Sequence, residues 1–170
     1  MMKKILVPIN IVALILSMSC TKPANNQPDE QILDSSSQLA VGKWQIVAST
    51  YQKFSNGIGG VLEDEYKILS TCQKDNYIVY TTDKSIIEDE GVSKCSDTTK
   101  QQKLIGNWQL LDGDKTLRVI SQNIISGIPV ADTTDWIINK LSKTTLKLIY
   151  IHNGGTTYRF ETVKTYKHID

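Results

Sequence analysis

The chain of 170 residues carries 19 Lys and Arg against 18 Asp and Glu, a net charge of +1, and 40% of its residues are hydrophobic. Near-neutral, dispersed charge leaves no basic footprint for nucleic acid, which is therefore not expected as a partner. Two histidines, and three cysteines without a Cys-x-x-Cys pair, give no metal-ligand spacing, so neither a metal nor another cofactor is expected.

The first element in chain order is a leader. Lys3 and Lys4 form a charged start, residues 5–16 are apolar, and Ser19 places a small residue immediately before Cys20. The apolar stretch is about a dozen residues long and is interrupted by Pro8 and Asn10, whereas a bilayer span takes roughly 20. The segment resembles a bacterial lipobox, with Ser17 where leucine is usual and Leu16 one place further back. The expectation is a signal peptide over 1–19 and acylation of Cys20. The protein would then be anchored to a bacterial membrane, the outer membrane, on its extracytoplasmic side, with the cell envelope as its location. Each buried methylene of such an anchor contributes about 0.8 kcal/mol. The competing reading is plain secretion, with Cys20 removed or buried. Without Lys3 and Lys4 the net charge moves from +1 to −1.

Residues 20–40 form the next segment, rich in Asn, Gln, Ser and Asp with Pro23 and Pro28. Such a composition buries too little apolar area to offset conformational entropy, so a flexible tether is expected. The domain proper is expected over 41–170, which is enough chain for one hydrophobic core. Its elements are short and punctuated by turn chemistry, the pattern of an all-β fold. A first strand is expected over 44–51 and a loop over 52–60. A short helix is expected over 62–74, where Leu62, Tyr66 and Leu69 have helical spacing. Strands over 76–81 and 84–88 flank Thr82-Asp83, and a polar loop covers 90–103. Strands over 104–111 and 116–122 flank Asp112-Gly113-Asp114, a hairpin signal. A longer loop over 123–131 precedes strands over 135–141, 145–151 and 156–166. These eight predicted strands follow one another closely, and sequential strands usually pair. An antiparallel up-and-down meander closing into an eight-stranded barrel is the simplest solution, and a two-sheet sandwich is the alternative. Cys72 and Cys95, an even pair in an oxidising compartment, are expected to form a disulfide.

Gly42-Lys43-Trp44-Gln45-Ile46 and Gly106-Asn107-Trp108-Gln109-Leu110 repeat one pattern, Gly-x-Trp-Gln-aliphatic. In each, glycine allows close backbone approach, and the indole turns to the same face as the aliphatic residue after it. Gly42-x-Trp44 at the head of an eight-strand meander resembles the lipocalin and wider calycin superfamily. The resemblance implies a tryptophan plugging the closed end of the barrel beneath an arginine of the last strand, and Arg159 is the matching candidate. The chain is more closely similar to the lipocalin-like domain of small bacterial lipoproteins. The matching pieces are Cys72-Gln73-Lys74-Asp75-Asn76-Tyr77, Asp89-Glu90-Gly91-Val92-Ser93-Lys94-Cys95, Gly106-Asn107-Trp108 and Thr165-Tyr166-Lys167. This similarity, spanning about 42–167, implies a barrel and a disulfide and leaves the ligand open.

Glu63-Asp64-Glu65 and Glu88-Asp89-Glu90 are the acidic clusters, and a solvated edge or loop accounts for both. Of the second trio, strand alternation would let only Glu88 and Glu90 converge. There is no Gly-x-Ser-x-Gly, no phosphate loop and no His-Glu-x-x-His, while His152 abuts a glycine turn and His168 lies in the tail. No catalytic residue is therefore assigned. What remains is apolar and aromatic, in period-two stripes such as Trp44, Ile46 and Ala48. These stripes either fill a barrel or line a pocket. For the pocket, Tyr77, Trp136, Tyr150 and Tyr158 are the ligand-binding candidates, because aromatic bodies with polar tips suit an amphipathic molecule. The expected function is non-covalent binding of a small apolar or amphipathic ligand. The alternative is a filled structural or interaction module with a protein partner in the envelope.

Overall fold

The computed structural model describes residues 34–125 and 128–170. The leader 1–19, Cys20 and the tether as far as residue 33 lie outside the described residues. Among the described residues no helix is long and apolar enough to cross a membrane.

The fold is one antiparallel sheet of nine strands that closes in a ring. Chain order gives α1 (Ser35–Ala40), β1 (Lys43–Ser55), β2 (Ile58–Asp64), α2 (Glu65–Ile68), α3 (Thr71–Lys74), β3 (Tyr77–Tyr80) and β4 (Ser85–Asp89). Then follow β5 (Gln102–Leu111), β6 (Thr116–Ile125), β7 (Ile128–Leu141), β8 (Thr145–Gly154) and β9 (Tyr158–Ile169). One edge of β1 pairs along its length with β9, closing the ring. Its other edge is divided: Lys43, Trp44 and Gln45 pair with β3, while residues 50–55 pair with β2. The path β1-β3-β4-β5-β6-β7-β8-β9 thus returns on itself, and β2 flanks it as the ninth strand.

Three elements depart from expectation. Residues 52–60 are not a loop: β1 runs on to Ser55, and Asn56 and Gly57 turn the chain with φ of 50° and 79°. Two consecutive positive φ values make the tight hairpin turn that Asn-Gly favours, because its twist matches the strands. Residues 123–131 are likewise strand backbone on both sides of the β6–β7 connection, not an open loop. The segment 62–74 holds two single-turn helices rather than one, with Leu62 exposed on β2. Asp64 caps α2 by accepting from the Lys67 amide, and Ser70 and Gln73 form a reciprocal capping box on α3.

The last part of the expected tether is also structured. Asp34 caps α1, and Leu39 on that helix is 0% exposed. Four of its six residues are Ser or Gln, so composition hid one large apolar side chain that the ring buries. Leu39 joins Trp44, Tyr80, Ile86, Trp108, Leu117, Leu146, Leu148 and Tyr166 in the core. The helix closes one end of the ring: the Trp44 indole N–H donates to the Leu39 carbonyl at 2.9 Å. At the same end the Trp108 indole donates to the Thr81 carbonyl at 3.1 Å, and the Lys84 ammonium stands 3.9 Å over its ring. Buried indoles are seldom left without an acceptor, and both here have one. Cys72 and Cys95 form a disulfide that ties α3 to the loop between β4 and β5.

Candidate functional site

Inside the ring lie two adjoining cavities of about 230 and 200 Å³, the larger reaching as far as Trp44. They share Ile78, Lys164 and Tyr166. The smaller is mostly apolar, walled by Tyr80, Ile86, Ile105, Val119, Trp136 and Leu148, with Ser121 and Thr134 as its hydroxyl groups. The larger adds Gln73, Asn76 and Glu88. Larger hollows of about 380 and 550 Å³ occur at the tips of the β1–β2 and β8–β9 hairpins. Turn residues line them, and they lack the convergent apolar walls that hold a small molecule.

Strand register determines which side chains reach the inner cavities. On β9 the inward set is Phe160, Thr162, Lys164 and Tyr166. A bulge at Val47 breaks the alternation of β1: Ile46 faces Tyr166 across the ladder, whereas Ser49 faces Lys164. The extra residue turns Ala48 outward and Ser49 inward, so the expected Trp44-Ile46-Ala48 stripe ends at Ile46. Ser49 is buried, and its hydroxyl donates to the Glu65 carboxylate at 2.8 Å. Glu65 and Glu88 therefore belong to the interior rather than to a solvated edge. Glu90 leaves this group, accepting from the Thr99 hydroxyl at 2.7 Å, so Glu88 and Glu90 do not converge.

Lys164 is the cation of the inner site. Its ammonium is 5.3 Å from the centre of the Trp136 ring, and among the described residues it makes no hydrogen bond and has no carboxylate within 4 Å. Burial lowers its pKa below the ordinary lysine value, while the charge of Glu65 acts in the opposite direction. Burial likewise raises the phenol of Tyr166 well above its usual range, with Glu88 adding to the effect. From Trp136 a series of ring contacts crosses the inner face of β7, β8, β9 and β1. Trp136 meets Tyr150 at 5.4 Å, Tyr150 meets His152 at 6.3 Å, and Phe160 lies 6.1 Å from both His152 and Tyr51. Gly154 leaves room for this series, since a Cβ there would press into the Phe160 ring.

Of the four ligand-binding candidates, Trp136 lines an inner cavity, and Tyr150 packs against the Trp136 ring without reaching either cavity wall. Tyr158 lies further out at the start of β9, 42% exposed beneath the Lys53 ammonium at 4.3 Å. Tyr77 is on the outer face of β3, opposite Asp89 of β4 and with Lys43 over its ring at 5.3 Å. Asp89 is 3% exposed and accepts from Gln101, Gln102 and the Gly91 amide. Burial opposes its ionisation, but these hydrogen bonds outweigh it and hold its pKa below the usual value. Neither Tyr77 nor Tyr158 lines the inner cavities.

Arg159 is not the residue over Trp44. It lies on the outer face at the far end of β9, 4.2 Å from the Phe54 ring and 3.5 Å from Glu161. Trp44 pairs instead with His168, whose ring meets the indole edge-on at 5.5 Å. Both glycines of the Gly-x-Trp units are needed for space. A Cβ at Gly42 would overlap the His168 ring, and one at Gly106 would overlap the Ile120 carbonyl.

Lys164 and Ser49 are the site residues that the sequence reading did not single out, and Glu65 and Glu88 are ones it assigned to a solvated edge or loop. The signal for Lys164 was its parity: it shares the inward face with Phe160 and Tyr166. Among the described residues no group of three or more His, Cys, Asp or Glu could hold a metal ion. No protein-family model matches the chain, and no curated protein matches it.

Proposed function

We propose that this protein is a lipid-anchored, lipocalin-like barrel of the bacterial cell envelope that binds a small apolar or amphipathic molecule without covalent chemistry. The observation that carries this reading is the inner cavity pair, in which Trp136, Tyr80, Tyr166 and aliphatic walls surround a few polar groups. Small-molecule sites have this make-up: apolar walls for affinity and sparse polar groups for orientation. The eight-strand path of the ring, with both Gly-x-Trp units at its plugged end, supports the lipocalin-like assignment. The leader ending in Ser19-Cys20 supports a lipid anchor on the extracytoplasmic side of a bacterial membrane. The reading assigns no catalytic step.

Titration with N-phenyl-1-naphthylamine, a neutral apolar fluorophore, tests the binding half. A saturable rise in emission at one probe per chain is expected, with affinity reduced about tenfold in Trp136→Ala through lost ring contact. Absence of saturable binding sinks the proposal. Radiolabelled palmitate should mark the protein in its native host and fail to mark Cys20→Ser; an unlabelled wild type removes the anchor.

A second reading, an interaction module with an envelope protein, is favoured by β2. Among the described residues no strand pairs with its outer edge, and Ile58, Val61 and Leu62 are all exposed on it.

A further inference from the structure

We infer that Lys164 recognises the head group of the ligand, and that the ligand is a small monoanionic amphiphile, a carboxylate on a short apolar chain. This deepens the binding reading above and rests on it. A buried ammonium is costly unless an anion or hydrogen bonds offset its lost hydration. Lys164 has neither: its close contact is the Trp136 face at 5.3 Å, and no carboxylate lies within 4 Å among the described residues. Glu65, the acid whose charge acts on it, is already held by the Ser49 hydroxyl at 2.8 Å. Partly buried Lys164 thus faces the cavities without a carboxylate in direct contact, and an incoming anion would supply that contact.

The two cavities divide the ligand. Glu88 lines the 230 Å³ cavity and repels an anion there. The 200 Å³ cavity has no acidic residue in its wall, and it offers the Ser121 and Thr134 hydroxyls as donors beside Lys164. A carboxylate therefore sits at Lys164 on that side, with its chain against Ile86, Val119 and Leu148. Drug-sized ligands occupy roughly 300–1,000 Å³, so a cavity of 200 Å³ selects a short chain.

The test compares octanoate with 1-octanol, equal in chain length and different in charge, by calorimetric titration of the full chain. Wild type should prefer octanoate by about tenfold or more, the scale of one charge-assisted hydrogen bond. Lys164→Met, which keeps the stem and removes the charge, should abolish that preference and retain octanol binding. Lys164→Arg should restore the preference. Equal affinity of wild type for the two probes, or an undiminished octanoate preference in Lys164→Met, overturns the inference while leaving the pocket reading intact. Failure of both probes to bind wild type overturns the pocket reading with it.

Discussion

Asp89 shows how one side chain can organise the outside of this sheet. At the end of β4, opposite Tyr77 of β3, it gathers Gln101, Gln102 and the Gly91 amide, tying the β4–β5 loop and the start of β5 to β4. Gly91 is required there, because its φ is +66° and a Cβ would overlap the Asp75 carbonyl. With a folded pKa below the unfolded one, the Asp89 carboxylate contributes stability that is complete above about pH 3.9. That contribution fades as pH falls through the folded pKa. Asp89→Asn should cost about 1–3 kcal/mol at pH 7, since an amide cannot accept from all these donors at once. The variant's deficit should shrink as urea melts are repeated from pH 7 down to pH 3. A deficit independent of pH would show that the charge is not what the donors stabilise.

Among the elements, α1 has the largest effect for its size. One turn and a half of helix covers the closed end with a single buried leucine and a carbonyl that accepts from Trp44. Leu39→Ala retains the carbonyl and removes only the buried side chain, so its cost isolates the packing. It should destabilise the domain by about 2–5 kcal/mol in chemical denaturation. A loss below about 1 kcal/mol would return residues 34–40 to the status of tether. The disulfide acts at a different helical element, fixing α3 to the loop between β4 and β5. Cysteine parity made that bond legible in the sequence, whereas α1 was obscured by the serines around Leu39.

At the scale of the molecule, ring closure distributes protection unevenly. β9 is paired on both edges, with β1 and with β8, while β2 is paired with β1 alone and every residue of it is exposed. Hydrogen exchange should therefore be slowest along β9 and the facing part of β1, and fastest among the strands in β2. Protection of β2 equal to that of β9 would mean that its outer edge is covered by another chain.

Local chemistry determined much of this protein. Period-two stripes specified an all-β sheet, Asp112-Gly113-Asp114 specified a hairpin, and the short connections specified sequential antiparallel pairing. The same kind of signal at Asn56-Gly57 was present but masked by the glycines around it, and with it the ninth strand. Tertiary structure alone decided the rest. The bulge at Val47 exchanges Ala48 for Ser49 on the inner face, an effect of ladder register that no window of the sequence contains. Which ring residue meets Trp44 depends on how far β9 slides along β1, and that register selects His168 over Arg159. The inner site joins Lys164, Trp136, Glu65 and Glu88 from four separate elements. Their proximity follows from closing the sheet, because antiparallel pairing converts separation along the chain into adjacency across the ring.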